Sequence, residues 1–301
     1  RKYNGMQIVI TQNIRDFVGT EELARKSTAI INASQYSMIF PPDEPQVIAD
    51  SKKLGFLPEN VGNGRGDYLP ATTQMAIDYL SARSKKGFFL MVEGGSIDHA
   101  CHGMDAATMI KETIDFDEAI KVAYEFYKKH KNETLIVITA DHETGGLTLS
   151  SSFRYSIKPE LLKYQKVSLD SFNVKVADWA KLPVKPSFNA ILDSIKADFG
   201  LGTSDLKLTD DEIAWLEESY SKDFLNNNVV NPNKHYMDVR AKGLGEKSVY
   251  LLDNKAGFHF SSGDHSALPV PIRALGQGAD YFKGGIDNTD IPKIIEQLMI
   301  K

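Results

Sequence analysis

Cysteine is all but missing from these 301 residues: Cys101 stands alone, so no disulfide can close within the chain. Long apolar runs are missing too. Nothing approaches the roughly 18 consecutive apolar residues that a membrane-spanning helix needs. A surplus of positive charge is also absent, since 35 Lys and Arg face 40 Asp and Glu, for a formal net charge of −5 and a pI near 5.8. That balance argues against a nucleic-acid backbone as partner, which would demand basic patches. No internal repeat or low-complexity tract is present. With 42% hydrophobic residues, the chain is long enough for one large globular domain, or for a domain carrying a substantial insertion.

The stretch from Gly87 to Gly146 carries the strongest pattern. Gly87-Phe88-Phe89-Leu90-Met91-Val92 reads as a strand buried on both faces, and it runs into Glu93. A glycine turn, Gly94-Gly95, then delivers Asp98 and His102 four residues apart, on one face if a helix begins there. From Ala106 to Tyr127, apolar residues recur mostly every third or fourth position, as in an amphipathic helix. Lys128-Lys129-His130-Lys131 follows, a cationic end that suits a helix C-terminus. A second buried strand, Leu135-Ile136-Val137-Ile138-Thr139, leads into Ala140-Asp141-His142-Glu143-Thr144-Gly145-Gly146.

This is one βαβ unit, so its strands should be parallel, and Glu93, Asp98, His102, Asp141 and His142 should emerge at one sheet edge. Ligands of open α/β sheets bind at that carboxyl edge. Neutral imidazole with carboxylate is a standard shell for zinc. Either cluster alone would equally suit a capping role; two on successive strands favour a metal.

These residues carry a family resemblance. Val92-Glu93-Gly94-Gly95-Ser96-Ile97-Asp98-His99, then Glu112-Thr113-Ile114-Asp115-Phe116-Asp117-Glu118-Ala119, then Thr139-Ala140-Asp141-His142, resemble the second half of an alkaline phosphatase. Gly263-Asp264-His265-Ser266-Ala267-Leu268-Pro269-Val270-Pro271, followed by Ala274-Leu275-Gly276-Gln277-Gly278-Ala279, resembles that family's last metal-ligand strand. The resemblance implies an α/β sandwich of a mostly parallel sheet with helices on both faces. It implies that Asp98, His102 and His265 ligate a first zinc, Asp141 and His142 a second zinc, and Glu93 a magnesium ion. His99 stands where the family places a residue on the phosphate side of the site. The implied reaction is hydrolysis of phosphate monoesters through a phosphoserine. A small-molecule ester is the implied partner, a homodimer the candidate assembly, and the periplasm or secretion the implied location.

One departure is pronounced. The family's Asp-Ser-Ala nucleophile turn is absent: the Asp-Ser pairs are Asp50-Ser51, Asp170-Ser171 and Asp193-Ser194, followed by Lys, Phe and Ile. Nor does the chain hold the family's first-strand Asp ligand or its phosphate-clamping Arg. The expectation is a C-terminal portion of a longer enzyme, inactive alone, with any targeting segment lost. A related phosphodiesterase or phosphomutase, or an inactive metal-binding or interaction module, are the alternatives.

The remaining organisation follows from pattern. Residues 1–149 are expected to form the first part of the metal-binding core, with a strand over Met6–Thr11, a short helix over Gly19–Lys26, a strand at Ala29–Ile31 and a helix over Pro70–Arg83. Residues 150–255 read as an insertion over the active-site edge. Ser187 there should cap one helix, and Thr209-Asp210-Asp211-Glu212 forms a capping box for another. Lys247–Leu252 reads as a strand. Residues 256–301 should complete the core, with a helix over Asn288–Leu298; His259 and His265 both suit the remaining ligand position, and the family resemblance favours His265.

Overall fold

Leu135, Ile136 and Val137 offer no polar side chain to water, and the strand they form is buried on both faces. The computed structural model describes residues 6–10, 68–84, 86–150, 156–225 and 241–300. The expectations for Gly19–Lys26 and Ala29–Ile31 lie outside the described residues. In chain order the elements are β1 (Met6–Ile10), α1 (Tyr68–Arg83), β2 (Phe89–Val92), α2 (Gly95–His102), α3 (Ala106–Lys129) and β3 (Thr134–Ile138). They continue with β4 (Glu143–Thr144), β5 (Leu147–Leu149), α4 (Leu169–Lys181), α5 (Phe188–Phe199), α6 (Asp210–Leu225) and α7 (Leu244–Ala256). Last come β6 (Phe258–Phe260), β7 (His265–Ser266), β8 (Arg273–Gly276) and α8 (Asp290–Ile300). The chain divides into two compact units, one of Arg1–Gly95, Glu112–Glu143 and Leu268–Lys301, the other of Ser96–Lys111 and Thr144–Ala267.

In the first unit the sheet order is β2-β1-β3-β8. β1 lies between the two strands of the βαβ unit and pairs parallel with both, Ile10 facing Val92 on one side and Ile138 on the other. β8 closes the order antiparallel to β3. The period of two along a strand then sorts the side chains. Ile136 joins Leu90, Val92, Ile77 and Ala119 in one apolar cluster beneath α1 and α3, while Leu135 and Val137 join Ile291, Ile295 and Leu298 of α8 in another.

The second unit takes in Ser96–Lys111 as well as Thr144–Ala267. Its core gathers Phe172, Ile191, Ile195, Phe199, Leu216, Val249 and Leu252. Phe172 meets Phe199 edge-on, with ring centroids 4.9 Å apart. The expected caps form: Ser187 Oγ accepts from Ala190 N at 3.3 Å, and Thr209 with Glu212 makes the reciprocal box. α4, whose N-cap is Ser168, was not anticipated.

Lys247–Leu252 is not a strand but the middle of α7. A short apolar run does not distinguish the two states; the ends do. Glu246 Oε2 accepts from Gly243 N at 2.9 Å, and Gly257 ends the helix in the left-handed conformation at φ 83°. Two of the Asp-Ser pairs, Asp170-Ser171 and Asp193-Ser194, lie inside α4 and α5, where no strand delivers them to a turn.

Asp105 ties this unit together. Its buried carboxylate accepts from Thr108 N at 2.9 Å, Leu169 N at 2.9 Å and Gln165 Nε2 at 2.8 Å. Asp253 of α7, also buried, accepts from Ala106 N at 3.0 Å through Oδ2, while its Oδ1 finds no hydrogen-bond partner among the described residues. Burial first, and the Asp105 charge second, hold the Asp253 carboxyl well above the usual carboxylate range. The folded chain therefore keeps a proton that the unfolded chain releases, and stability falls as pH rises above about 3.9 toward the folded pKa. Asp253→Asn should be more stable than the parent in urea denaturation, by a margin that widens with pH at up to about 1.4 kcal/mol per unit across that window. A margin that does not change with pH would mean Asp253 is ionised in the fold.

Candidate metal centre

α2 begins at Gly95, and its turn places Asp98 and His102 on one face while Ala100 and Cys101 face the interior. His102 Nε2 lies 3.3 Å from Asp98 Oδ2. The loop after β6 brings His265 against them: its Nε2 is 3.1 Å from His102 Nε2 and 3.8 Å from Asp98 Oδ1. All three residues belong to the second unit. Their side chains are 17% exposed for Asp98, 38% for His102 and 45% for His265, so the cluster opens to solvent on the imidazole side.

The protonation pattern of His102 follows from one contact. Its Nδ1 lies 2.6 Å from Gly263 O, and a carbonyl can only accept, so Nδ1 carries the hydrogen and Nε2 of the neutral ring carries the lone pair. The donors Asp98, His102 and His265 lie within 4.8 Å of one another. A tetrahedral shell with bonds of about 2.0–2.1 Å has ligand-to-ligand edges of about 3.3 Å, close to the separations seen here. The donor set, two imidazole nitrogens and one carboxylate, fits zinc with a fourth position open.

Each of the other expected residues is placed within its own unit. Asp141 and His142 follow β3 in the first unit, with His142 Nε2 3.1 Å from Asp141 Oδ2 and the aspartate side chain only 2% exposed. Glu93 follows β2 and curls over the next turn, where a Cβ on Gly95 would come within 3.0 Å of its Oε1. β2 and β3 both run parallel to β1 in matching register, so Glu93 and the Asp141-His142 pair leave the sheet at the same edge. His99 is exposed on α2, one position past Asp98. His259 sits on β6 opposite Thr148, whose hydroxyl donates to its carbonyl at 3.2 Å. It stands outside the three-residue cluster.

Sequence reasoning missed two partners. Thr144 Oγ1 donates to Asp98 Oδ1 at 2.5 Å, and Gly263 supplies the carbonyl that orients His102. A threonine after Asp-His-Glu carries no signal of that contact, and a backbone carbonyl carries none at all. The two glycines after Thr144 are legible in hindsight: Gly145 at φ 90° and Gly146 at φ 57° turn the chain where a Cβ would collide with Phe260 and with Ser261.

Two imidazoles and a carboxylate within 4.8 Å of one another, in a chain of mixed helix and strand, mark an α/β protein with a candidate metal centre. The alkaline phosphatase family model matches residues 66–300. The chain belongs to the alkaline phosphatase family. It is 32% identical to alkaline phosphatase 4 of Bacillus subtilis over 227 residues, covering 75% of this chain and 42% of that protein. Alkaline phosphatase 3 of the same organism is 33% identical over 251 residues, 81% of this chain and 48% of the relative. The chain thus spans less than half the length of either. In fold it is similar to a cold-active alkaline phosphatase from a psychrophilic Shewanella, with a TM-score of 0.65 at 20% identity, covering 99% of this chain and 76% of that one.

Gly145→Ala tests how tightly the turn behind the cluster is determined. Left-handed backbone strain of about 1–3 kcal/mol, added to a Cβ placed 2.7 Å from the Phe260 ring, should lower the urea midpoint clearly. An unchanged midpoint would show that the turn relaxes without penalty.

Proposed function

We propose that this chain supplies the metal-holding side chains of a zinc-dependent phosphate-monoester hydrolase. The supporting observation is the convergence of Asp98, His102 and His265 at the spacing of one ligand shell, in a member of the alkaline phosphatase family. When bound, zinc supplies Lewis acidity, neutralising charge that builds on phosphoryl oxygens and letting water attack near neutral pH.

The chain's own residues divide the work. Asp98 brings the negative charge of the first site. His102, its Nδ1 held by Gly263, presents Nε2 in the right tautomer. His265 completes the set from the more exposed side. Asp141 and His142, already in contact, are proposed as donors to a second zinc, and Glu93 as the magnesium carboxylate. His99 is proposed to meet the phosphate side of the site. The reading includes a phosphoserine route in the full enzyme, formed on a serine in an Asp-Ser-Ala turn that this sequence does not contain. The chain by itself is then expected to bind zinc without turning over a phosphate monoester. A periplasmic or secreted location and the mostly parallel sandwich, with 150–255 inserted into it, belong to the same proposal. Among the described residues, no helix is long and apolar enough to cross a membrane.

Calorimetric titration of zinc into the metal-free chain tests this. One tight site is expected, weakened at least about 100-fold in both His102→Ala and His265→Ala, with only weak further uptake by Asp141 and His142. Tight binding that survives either change would overturn the ligand assignment.

A further inference from the structure

Thr144, Gly145 and Gly146 form a short turn that touches both segments carrying the clustered donors. Thr144 is buried, and its Oγ1 donates to Asp98 Oδ1 at 2.5 Å. Gly145 N donates to Asp264 O at 2.9 Å, next to His265. In return Ser262 N donates to Gly145 O at 3.1 Å, and Ser261 N to Gly146 O at 3.3 Å. The loop so held is the one whose Gly263 carbonyl orients His102.

We propose that Thr144 is a positioning residue for the metal centre: its hydroxyl engages Asp98 Oδ1, turns Oδ2 toward His102 Nε2, and thereby sets the affinity of the site. The proposal rests on the metal-binding reading above. A carboxylate has two equivalent oxygens and rotates freely unless one is engaged. Oδ2 is the oxygen nearer His102 Nε2, at 3.3 Å, so engaging Oδ1 selects the arrangement in which a carboxylate oxygen and a ring nitrogen converge. The chemical type of the donor matters as much as its place. A neutral hydroxyl satisfies Oδ1 and leaves the negative charge of Asp98 for a cation, whereas a Lys or Arg there would cancel that charge. Threonine is also stiff about χ1, so the hydroxyl direction is largely preset by the buried backbone.

The test compares zinc calorimetry and the visible absorption of bound cobalt(II) in the full metal-free chain, for the parent, Thr144→Val and Thr144→Ser. Valine keeps the shape and removes the hydroxyl; serine keeps the hydroxyl and removes the methyl group. Valine should weaken both metals about 10- to 100-fold and alter the cobalt bands, while serine should stay within about 3-fold of the parent. Thermal midpoints of the metal-free chains should be similar. Parent-like affinity and an unchanged cobalt spectrum in Thr144→Val would overturn the proposal, as would a serine variant as weak as valine, since shape alone would then be acting. Should the valine chain not fold, Thr144→Ala replaces it, and equal affinity of the alanine and serine variants overturns the proposal. A parent that binds neither metal removes the metal reading and this proposal together; tight parent binding with an unaffected valine variant removes this proposal alone.

Discussion

The approach of two imidazole nitrogens to 3.1 Å, with a carboxylate beside them, is the constraint on which the described site depends. Lone pairs brought that close repel unless a proton or a cation lies between them, so the surrounding backbone has to hold the arrangement. It does so from two directions. α2 carries Asp98 and His102 on one face, and the loop between β6 and β7 brings His265 back across them. Joining the two is the Thr144–Gly146 turn, whose glycines adopt conformations closed to other residues by the Phe260 ring and by Ser261. The side chains that meet the ligand set are thus few, and the contacts that orient them are mostly backbone ones.

A second set of buried polar contacts underlies the helical part of the same unit. Asp105 accepts hydrogen bonds from the first turn of α3, and from Gln165 and the start of α4, which lie 60 and 64 positions further on, so two segments far apart in sequence share one carboxylate. A carboxylate satisfied this fully is tolerated in an apolar core. Asp253 beside it accepts from one backbone N–H, and burial together with the Asp105 charge pushes its carboxyl well above the usual carboxylate range. The apolar cluster built on Phe172, Phe199 and Leu216 supplies the non-directional part of the stability, and Asp105 supplies much of the direction.

What was legible in the sequence was whatever depends on neighbours along the chain. The buried strand at Leu135–Ile138, the amphipathic α3, and the caps at Ser187 and Thr209 follow from local pattern, and the structure holds them with boundary shifts of a residue or two. Asp98 and His102 were readable as a pair because a helix turns their spacing into a shared face. Lys247–Leu252 was misread because an apolar run of that length suits strand and helix alike; Glu246 and Gly257 at its ends decided for helix. α4 was missed for a related reason, since a single Ser cap at position 168 in a polar stretch is a weak signal.

The sequence by itself determined the chemistry of the donors, the strand-helix-strand order that carries them and the family to which the chain belongs. Those are properties of residue type and local spacing. Only the tertiary structure decided that His265, more than 160 positions beyond His102, stands 3.1 Å from it, that His259 does not, and that the Thr144 hydroxyl and the Gly263 carbonyl meet Asp98 and His102. Contacts across such separations are made by backbone turns and packed loops, and their hydrogen bonds fall on carbonyls and hydroxyls that every sequence contains in abundance.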